Sequence, residues 1–441
     1  MSLLRIDEIF NFEKGVLQSS KCVPGKYDFI TASSDWKTHN EYTHDCEALI
    51  FAAAASGSLG RTHYVNGKFI SSDLCFIITP KDQKNLPVDL KFYHILFNEL
   101  KDEIVRNTKA GTSKEAIGLG SFGKYQLSYF DIDTQIEIKN RFVKSEELKS
   151  EFSSELISQV DLVKKLRQQL LQDAVQGKLV EQNPKDAPAS ELFKKIKAEK
   201  EKLISEKKLK KEKELPPIKP EEIPFEIPEN WVWCRLGDLC IELLGGYAFD
   251  STRYSKTETQ NQVIRLGNVK PNQLVLETTP VFIDDDYANE AIRAKLFEGD
   301  ILITMTGTRA KRDYLFTLCL TQSDLETKTL FLNQRVGCFR FGSFVANSFI
   351  NIILKDLRLL QAVFDSSTGA ANQANIGIAA LKDILTPLPP LAEQNRIVQK
   401  LDELMQYCNE LEASIKQSES LNEKLLQQVL REALRKEPVG V

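Results

Sequence analysis

One stretch of this chain occurs twice, and that repeat restricts the fold more than any single motif does. Asn140-Arg141-Phe142-Val143-Lys144 matches Asn395-Arg396-Ile397-Val398-Gln399 at an offset of 255 residues, and the same offset lays Leu166, Leu170, Leu171, Gln172 and Leu179 on Leu421, Leu425, Leu426, Gln427 and Leu434. A constant offset over about 40 residues marks a duplication without insertion. Both copies read as long helices. In the second, Ile397, Leu401, Leu404, Cys408, Leu411 and Ile415 follow a 4-3-4-3-4 spacing, which draws one narrow apolar stripe along an otherwise polar helix. In the first, Leu156, Val160, Val163, Leu170 and Ala174 keep the rhythm, and Ile157, Leu166 and Leu171 broaden it. Such stripes are buried when two helices pair, so the two seams are expected to meet in an antiparallel coiled coil with approximate two-fold symmetry. A structural coiled coil with no further role is the plain alternative.

The rest of the chain falls into place around these helices. At 441 residues it is too long for one ordinary core. Two globular heads are expected, at 1–136 and 229–390, each mixing short strands with helices. Strand-like runs occur at Ala48–Phe51, Leu74–Ile78, Asp300–Thr304 and Arg335–Phe339, bounded by Gly, Ser or Pro. The long helices are expected at 137–181 and 391–437. Gln176-Gly177-Lys178 supplies a left-handed stop for the first. Residues 182–228 hold a Lys/Glu-rich helix over 190–214 and a proline-rich linker from Leu215 to Pro228 that must run extended.

The net charge is −4, yet residues 194–213 carry ten lysines against four glutamates, so any anion-binding surface is a local patch on an acidic body. The composition, 42% hydrophobic and 27% charged, is that of a soluble globular chain, and neither a membrane-spanning run nor an export signal is read from it; the expected location is the cytoplasm. Cys22, Cys46, Cys75, Cys234, Cys240, Cys319, Cys338 and Cys408 lack C-x-x-C pairing and read as reduced core residues. Gly118-x-Gly120-x-x-Gly123 lacks the strand and βαβ setting of a dinucleotide loop. Neither a phosphate-binding G-x-x-x-x-G-K-S/T loop nor an amino-methyltransferase Asn/Asp-Pro-Pro-Tyr/Phe motif occurs. His39, His44, His63 and His94 all lie in the first head, but their spacing does not match a zinc site, so no metal is expected.

Three segments carry a family resemblance. Ile227-Pro-Glu-Asn-Trp231-Val-Trp233-Cys-Arg-Leu236-Gly-Asp-Leu239 opens the second head, and Pro387-Leu-Pro-Pro390-Leu-Ala-Glu393-Gln394-Asn-Arg396 closes it. Leu170-Leu-Gln-Asp-Ala-Val-Gln176-Gly177-Lys178-Leu179 ends the first helix. Together they resemble the specificity subunits of Type I restriction-modification systems over essentially the whole chain. The resemblance implies an α+β fold of two mixed α/β target-recognition domains separated by two long antiparallel coiled-coil helices with pseudo-two-fold symmetry. Each domain would read one half of a split site in double-stranded DNA, and the helices would set the gap. At 1.5 Å per residue each helix would reach about 65 Å, or about 19 base pairs. No catalysis is implied for the chain itself. Two methyltransferase subunits would bring S-adenosylmethionine, and restriction motor-nuclease subunits would bring ATP and Mg²⁺. The first head departs from the pattern. It lacks the Ile-Pro-x-x-Trp opening, starting almost directly at Leu4-Arg5-Ile6-Asp7-Glu8-Ile9, and its exit Asp131–Asn140 lacks the Pro-rich run and Glu-Gln pair. A coiled-coil scaffold that binds no DNA, and the specificity subunit of a fused restriction-methylation enzyme of another type, are the other readings.

Base reading in the major groove needs forked donors and acceptors on loops that approach closely. In the second head Thr306, Thr308, Arg309, Lys311 and Arg312 combine a glycine turn, hydroxyls and three cations; Asn333 with Arg335, and Asn372 with Gln373, come next. In the first head the candidates are Ser33, Ser34, Trp36, Lys37, Ser56, Ser58 and Arg61, then Lys109, Thr112, Ser113 and Lys114. His39 and His63 sit beside them as possible donors, or as locally bonded, partly buried imidazoles. The helix–helix seam is expected at Leu156, Val160, Val163, Leu170, Ile397, Leu401, Leu404, Leu411 and Ile415.

Overall fold

The computed structural model describes residues 2–54, 57–110, 115–369 and 372–435. They divide into two compact units, one comprising 1–158 and 416–441, the other 159–415. In the first, a six-stranded sheet runs in the order Phe10–Lys14, Cys75–Pro80, His44–Ala52, Thr62–Ser71, Tyr27–Ile30, Lys37–His39. All neighbours are antiparallel except Tyr27–Ile30 against Thr62–Ser71. The alternation of a strand sorts its residues to two faces. Leu49 and Phe51 join Phe76, Phe92, Tyr93, Phe97 and Phe122 in one core, while Ala48, Ile50 and Ala52 join Val65 and Ile77 in another.

The first long helix spans Ile132–Val175, starting five residues before the expected boundary. Asp131 explains the difference, because its carboxylate accepts from the Thr134 N–H at 2.9 Å and the Thr134 hydroxyl at 2.7 Å, capping the helix there. The stop lies where Gly177 permits it: with φ 70, Lys178 N–H reaches Asp173 O at 2.8 Å. The Lys/Glu-rich helix is shorter than the expected 190–214, spanning Ala189–Ser205. Lys207 takes φ 60 and ends it, a left-handed position that a lysine does not announce. The second long helix spans Leu391–Arg435, and the expected residues 436–437 lie outside those described.

Each head is fastened to its long helix in the same way, so the first head does have the counterpart of the second head's opening and exit. Ser2–Arg5 pairs with Gln126–Tyr129 as Val232–Arg235 pairs with Leu385–Leu388, both antiparallel. Ile6–Ile9 and Leu236–Leu239 each form one helical turn after the opening strand. These landmarks lie 259 residues apart at the exit (Tyr129 and Leu388; Ile132 and Leu391), against the 255 of the sequence match. The four-residue discrepancy is about one turn of helix. A repeating apolar stripe matches itself nearly as well after such a slip, so the sequence alone does not fix the register.

The second head carries a four-stranded sheet, Cys240–Leu244, Val336–Phe341, Ile301–Thr304, Thr317–Cys319, and a three-stranded one, Phe282–Ile283, Asn261–Ile264, Thr329–Leu332. The two heads thus share their fastening but not their sheets. In this unit the two long helices run antiparallel. Arg167 donates to Asn409 at 2.8 Å and pairs with Glu412 at 3.3 Å, while eight residues further on Val175 shares a core with Ile397. Of the expected seam, Leu156, Val163, Ile397, Leu401 and Ile415 are buried, and Val160, Leu170 and Leu404 are half-buried. Leu411 is 49% exposed and is the correction. At about 100° per residue it stands some 60° from the buried Cys408, further off the stripe than the other members.

Candidate nucleic-acid interface

In the second head, the loop that follows strand Ile301–Thr304 turns back as a two-stranded ribbon, Thr306–Thr308 against Gln373–Asn375, with Thr308 opposite Gln373. The structure therefore brings together two segments 65 residues apart that the sequence offered separately. Gly307 is required by space, since a Cβ there would meet Asp313 Oδ1 at 2.8 Å and Asp313 O at 2.9 Å. Asp313 also accepts from the Thr308 N–H at 2.5 Å. Arg309 is set from two sides: its N–H donates to Asn372 O at 2.7 Å and its guanidinium to Ser367 O at 3.1 Å. The Asn372 side-chain oxygen accepts from Ala310 N–H at 3.0 Å, so this exposed residue shapes the loop with its acceptor. Arg312 has φ 50 and lies over the Phe364 ring at 4.9 Å. Lys311 and Arg335 are exposed, and Arg335 O accepts from Met305 N–H at 3.2 Å at the ribbon's base. Asn333 is half-buried in a tight turn; its carbonyl lies 2.2 Å from where a Cβ on Gly246 would be.

The first head gathers Ser33, Ser34, Trp36, Lys37, Ser58 and Arg61 at one end of its sheet. Ser33, Ser34 and Lys37 are exposed and Trp36 is 39% exposed. Arg61 turns inward, donating to Ala32 O at 3.3 Å and Ser58 Oγ at 3.4 Å, and so braces the loop that carries the serines. Trp36 Nε1–H donates to His63 Nδ1 at 3.3 Å. Burial lowers the pKa of His63, which favours the neutral ring that this bond needs. His39 is buried and its Nδ1 accepts from Val23 N–H at 3.0 Å, so it holds a loop and is turned away from solvent. Lys109 pairs with Glu115 at 2.6 Å. Ser56, Thr112, Ser113 and Lys114 lie outside the described residues. Among the described residues no three His, Cys, Asp or Glu side chains gather as a metal site, and no helix is long and apolar enough to cross a membrane. The cysteines are unpaired, and burial pushes the Cys75 and Cys240 thiols up to about 12.

The long helices carry a feature that the seam analysis missed. Leu148, Phe152, Leu162 and Leu166 on the first helix, and Tyr407, Leu411, Leu421 and Leu425 on the second, are 41% to 61% exposed. At the structural offset of 259 the two sets coincide position for position, whereas at 255 they do not. Each unit holds one pair from each helix: Leu162 and Leu166 with Tyr407 and Leu411 in one, Leu148 and Phe152 with Leu421 and Leu425 in the other.

Two unlike heads, each fastened alike to the start of a duplicated long helix, one of them presenting cations and carboxamides on a ribbon, define a class of two-headed recognition protein. The chain belongs to the Type I restriction modification DNA specificity domain family, whose model matches residues 2–162 and 228–419. It is 39% identical over 253 residues to the Type I restriction enzyme EcoAI specificity subunit of Escherichia coli, a match over 57% of this chain and 41% of that protein. It is 28% identical over 256 residues to the EcoEI specificity subunit of the same organism, over 58% and 42%. The matches thus span about two-fifths of the length of these curated relatives. Among solved structures, the HsdS subunit from Thermoanaerobacter tengcongensis aligns over 98% of this chain and 96% of that one, with a TM-score of 0.54 and 15% identity. A chain from a study of complex assembly and conformational transition of the type I R-M system aligns over 98% and 97%, with 0.52 and 17%. At 15% and 17% identity these two likenesses bear on the fold alone.

Proposed function

We propose that this protein is the sequence-specific DNA-binding subunit of a Type I restriction-modification complex. Each head reads one half of a bipartite site in double-stranded DNA, and the paired long helices set the gap. The observation that carries the reading is the contrast between what is duplicated and what is not. The exits of the two fastenings and four exposed apolar positions of each long helix recur at an offset of 259, while the sheets and loops of the heads differ. Two like faces suit two copies of one partner, and two unlike heads suit two different half-sites.

The chain acts without catalysis of its own in this reading. Two methyltransferase subunits dock on the paired helices and bring S-adenosylmethionine for adenine methylation; restriction subunits bring ATP and Mg²⁺. In the second head the reading surface is Thr306, Thr308, Arg309, Lys311, Arg312, Arg335, Asn372 and Gln373; in the first it is Ser33, Ser34, Trp36 and Lys37, braced by Arg61. The deciding experiment maps methylated adenines in DNA from cells that express the chain with its methyltransferase. A split motif is expected; methylation absent or unrelated to sequence would reject the reading.

A further inference from the structure

The cationic segment after the Lys/Glu-rich helix lies outside the duplicated part of the chain and has no role in the function proposed above. Residues 207–213 hold five lysines, one glutamate and one leucine. A run of this kind is ordinarily a loose solvated tail. Here it is pinned at both ends. Lys207 and Lys208 close the helix, their N–H groups donating to Ile204 O at 3.0 Å and Leu203 O at 2.9 Å, and Leu209 is half-buried with its N–H on Leu203 O at 3.1 Å. Further on, Glu212 accepts from Lys382 Nζ at 2.5 Å, so the one acid of the segment is spent on the second head.

That anchor places the segment relative to the recognition ribbon. Lys382 ends the helix Ile378–Lys382, which begins three residues after the ribbon strand Gln373–Asn375. Five helical residues span about 7.5 Å, and with the three residues before them and the two side chains of the anchor the lysines stand within about 30 Å of the ribbon, or about nine base-pair steps at 3.4 Å each. Lys210, Lys211 and Lys213 are exposed, and among the described residues none has a carboxylate oxygen within 4.0 Å. They are cations without fixed partners on a chain of net charge −4.

We infer that Lys210, Lys211 and Lys213 grip the DNA phosphate backbone outside the half-site read by the second head, adding affinity that is independent of base sequence. The inference rests on the DNA-binding reading of that head. Lysine is a flexible point charge that meets phosphates without selecting a base. An acidic protein surface is a poorer match, because lysine is depleted at protein interfaces and the segment's one apolar side chain, Leu209, is half-buried. Each phosphate neutralised steepens the fall of log affinity with log salt by about 0.9.

The test measures binding of the full-length chain to two duplexes, one of random sequence and one carrying the methylated motif, between 50 and 200 mM salt. The triple variant Lys210→Gln, Lys211→Gln, Lys213→Gln should have a slope shallower by about two to three on both duplexes. The affinity lost across that salt range should then be roughly 15- to 60-fold smaller than for wild type. The methylated motif should stay the same. An unchanged slope on the random duplex overturns the inference, and so does a loss confined to the motif duplex, which would mean base reading. An unchanged slope with weakened retention of a co-expressed subunit assigns the lysines to a protein partner and overturns it too. A wild-type chain that binds both duplexes equally rejects the specificity reading instead, while the slope of the triple variant still reports on the phosphate grip.

Discussion

Gln394 occupies in the second head the place that Gln135 occupies in the first. Both side chains are fully buried on the first turn of a long helix. Gln135 Oε1 accepts from Asp89 N–H at 2.8 Å while its Nε2 donates to Phe130 O at 2.7 Å; Gln394 Oε1 accepts from Ala346 N–H at 3.0 Å while its Nε2 donates to Pro389 O at 3.0 Å. Asp89 and Ala346 are the N-caps of equivalent head helices, Leu90–Glu99 and Asn347–Ile353. One carboxamide therefore ties a long helix to the helix of its own head. Gln394→Leu would strand an N–H and a carbonyl, and Gln135→Leu an N–H and the carbonyls of Phe130 and Pro87, a cost of about 2–4 kcal/mol. Hydrogen exchange should then speed up at Asp89 or at Ala346, each in its own unit only. Equal loosening of both units by either substitution would refute the local clamp.

Arg309 and Arg312 are exposed, and their guanidinium groups make surface contacts, to Ser367 O and over the Phe364 ring, so truncating either should leave the fold intact. Loss of one good contact to a base costs about 1–3 kcal/mol, or roughly 5- to 150-fold in affinity. Arg309→Ala and Arg312→Ala should weaken binding by that order in a gel-shift titration at fixed salt. They should also relax only the half of the methylated motif read by the second head. Unchanged affinity and motif would remove the residue from the reading surface.

The sequence carried the plan of the molecule further than its register. Stripes at 4-3 spacing announced both long helices, and the proline-rich closing run announced the second head's exit, because both signals are local. The match of Asn140 to Asn395 was a turn out of step because an apolar stripe looks alike to itself after four residues, and the tie is broken by the exits of the heads, where the helices start and Gln135 and Gln394 make their head contacts. Lys207 ended its helix without the glycine that would have given it away. The ribbon was legible in halves: Thr306–Thr308 and Asn372–Gln373 each stood out, but their pairing depends on a turn of the chain through 65 residues. Asp313, which fixes that ribbon, offered no local signal at all.

The exposed apolar sets on the long helices predict a stoichiometry. If each set receives one copy of a methyltransferase subunit, a charged pair of substitutions in one set should remove one copy and spare the other. Leu166→Arg with Tyr407→Arg should reduce the complex from two methyltransferases per chain to one, and Phe152→Arg with Leu421→Arg should do the same at the other set. All four together should remove both. Native mass spectrometry of the co-expressed complex gives the ratio directly. Two copies retained in the fourfold variant would show that these faces are not where the partner sits.

Glu393 predicts an unusual response to pH. Its side chain is buried; Oε1 accepts from Trp231 Nε1 at 3.0 Å and from Gln182 Nε2 at 2.5 Å, while Oε2 has no partner among the described residues. Burial raises its carboxyl above the ordinary 4.5, opposed by the bonds from Gln182 and Trp231 and by the charge of Arg396, and assisted by Asp186. The folded state therefore holds this proton more tightly than the unfolded chain, and the group's contribution to stability falls as pH rises from about 4.5 through the raised folded value. Glu393→Gln keeps an oxygen for Trp231 and Gln182 and removes the charge. The variant should melt a few degrees higher than wild type at pH 8, and the two melting curves should converge as pH falls toward 5. Differences that stay constant across that range would place the effect in packing and reject the carboxyl's role.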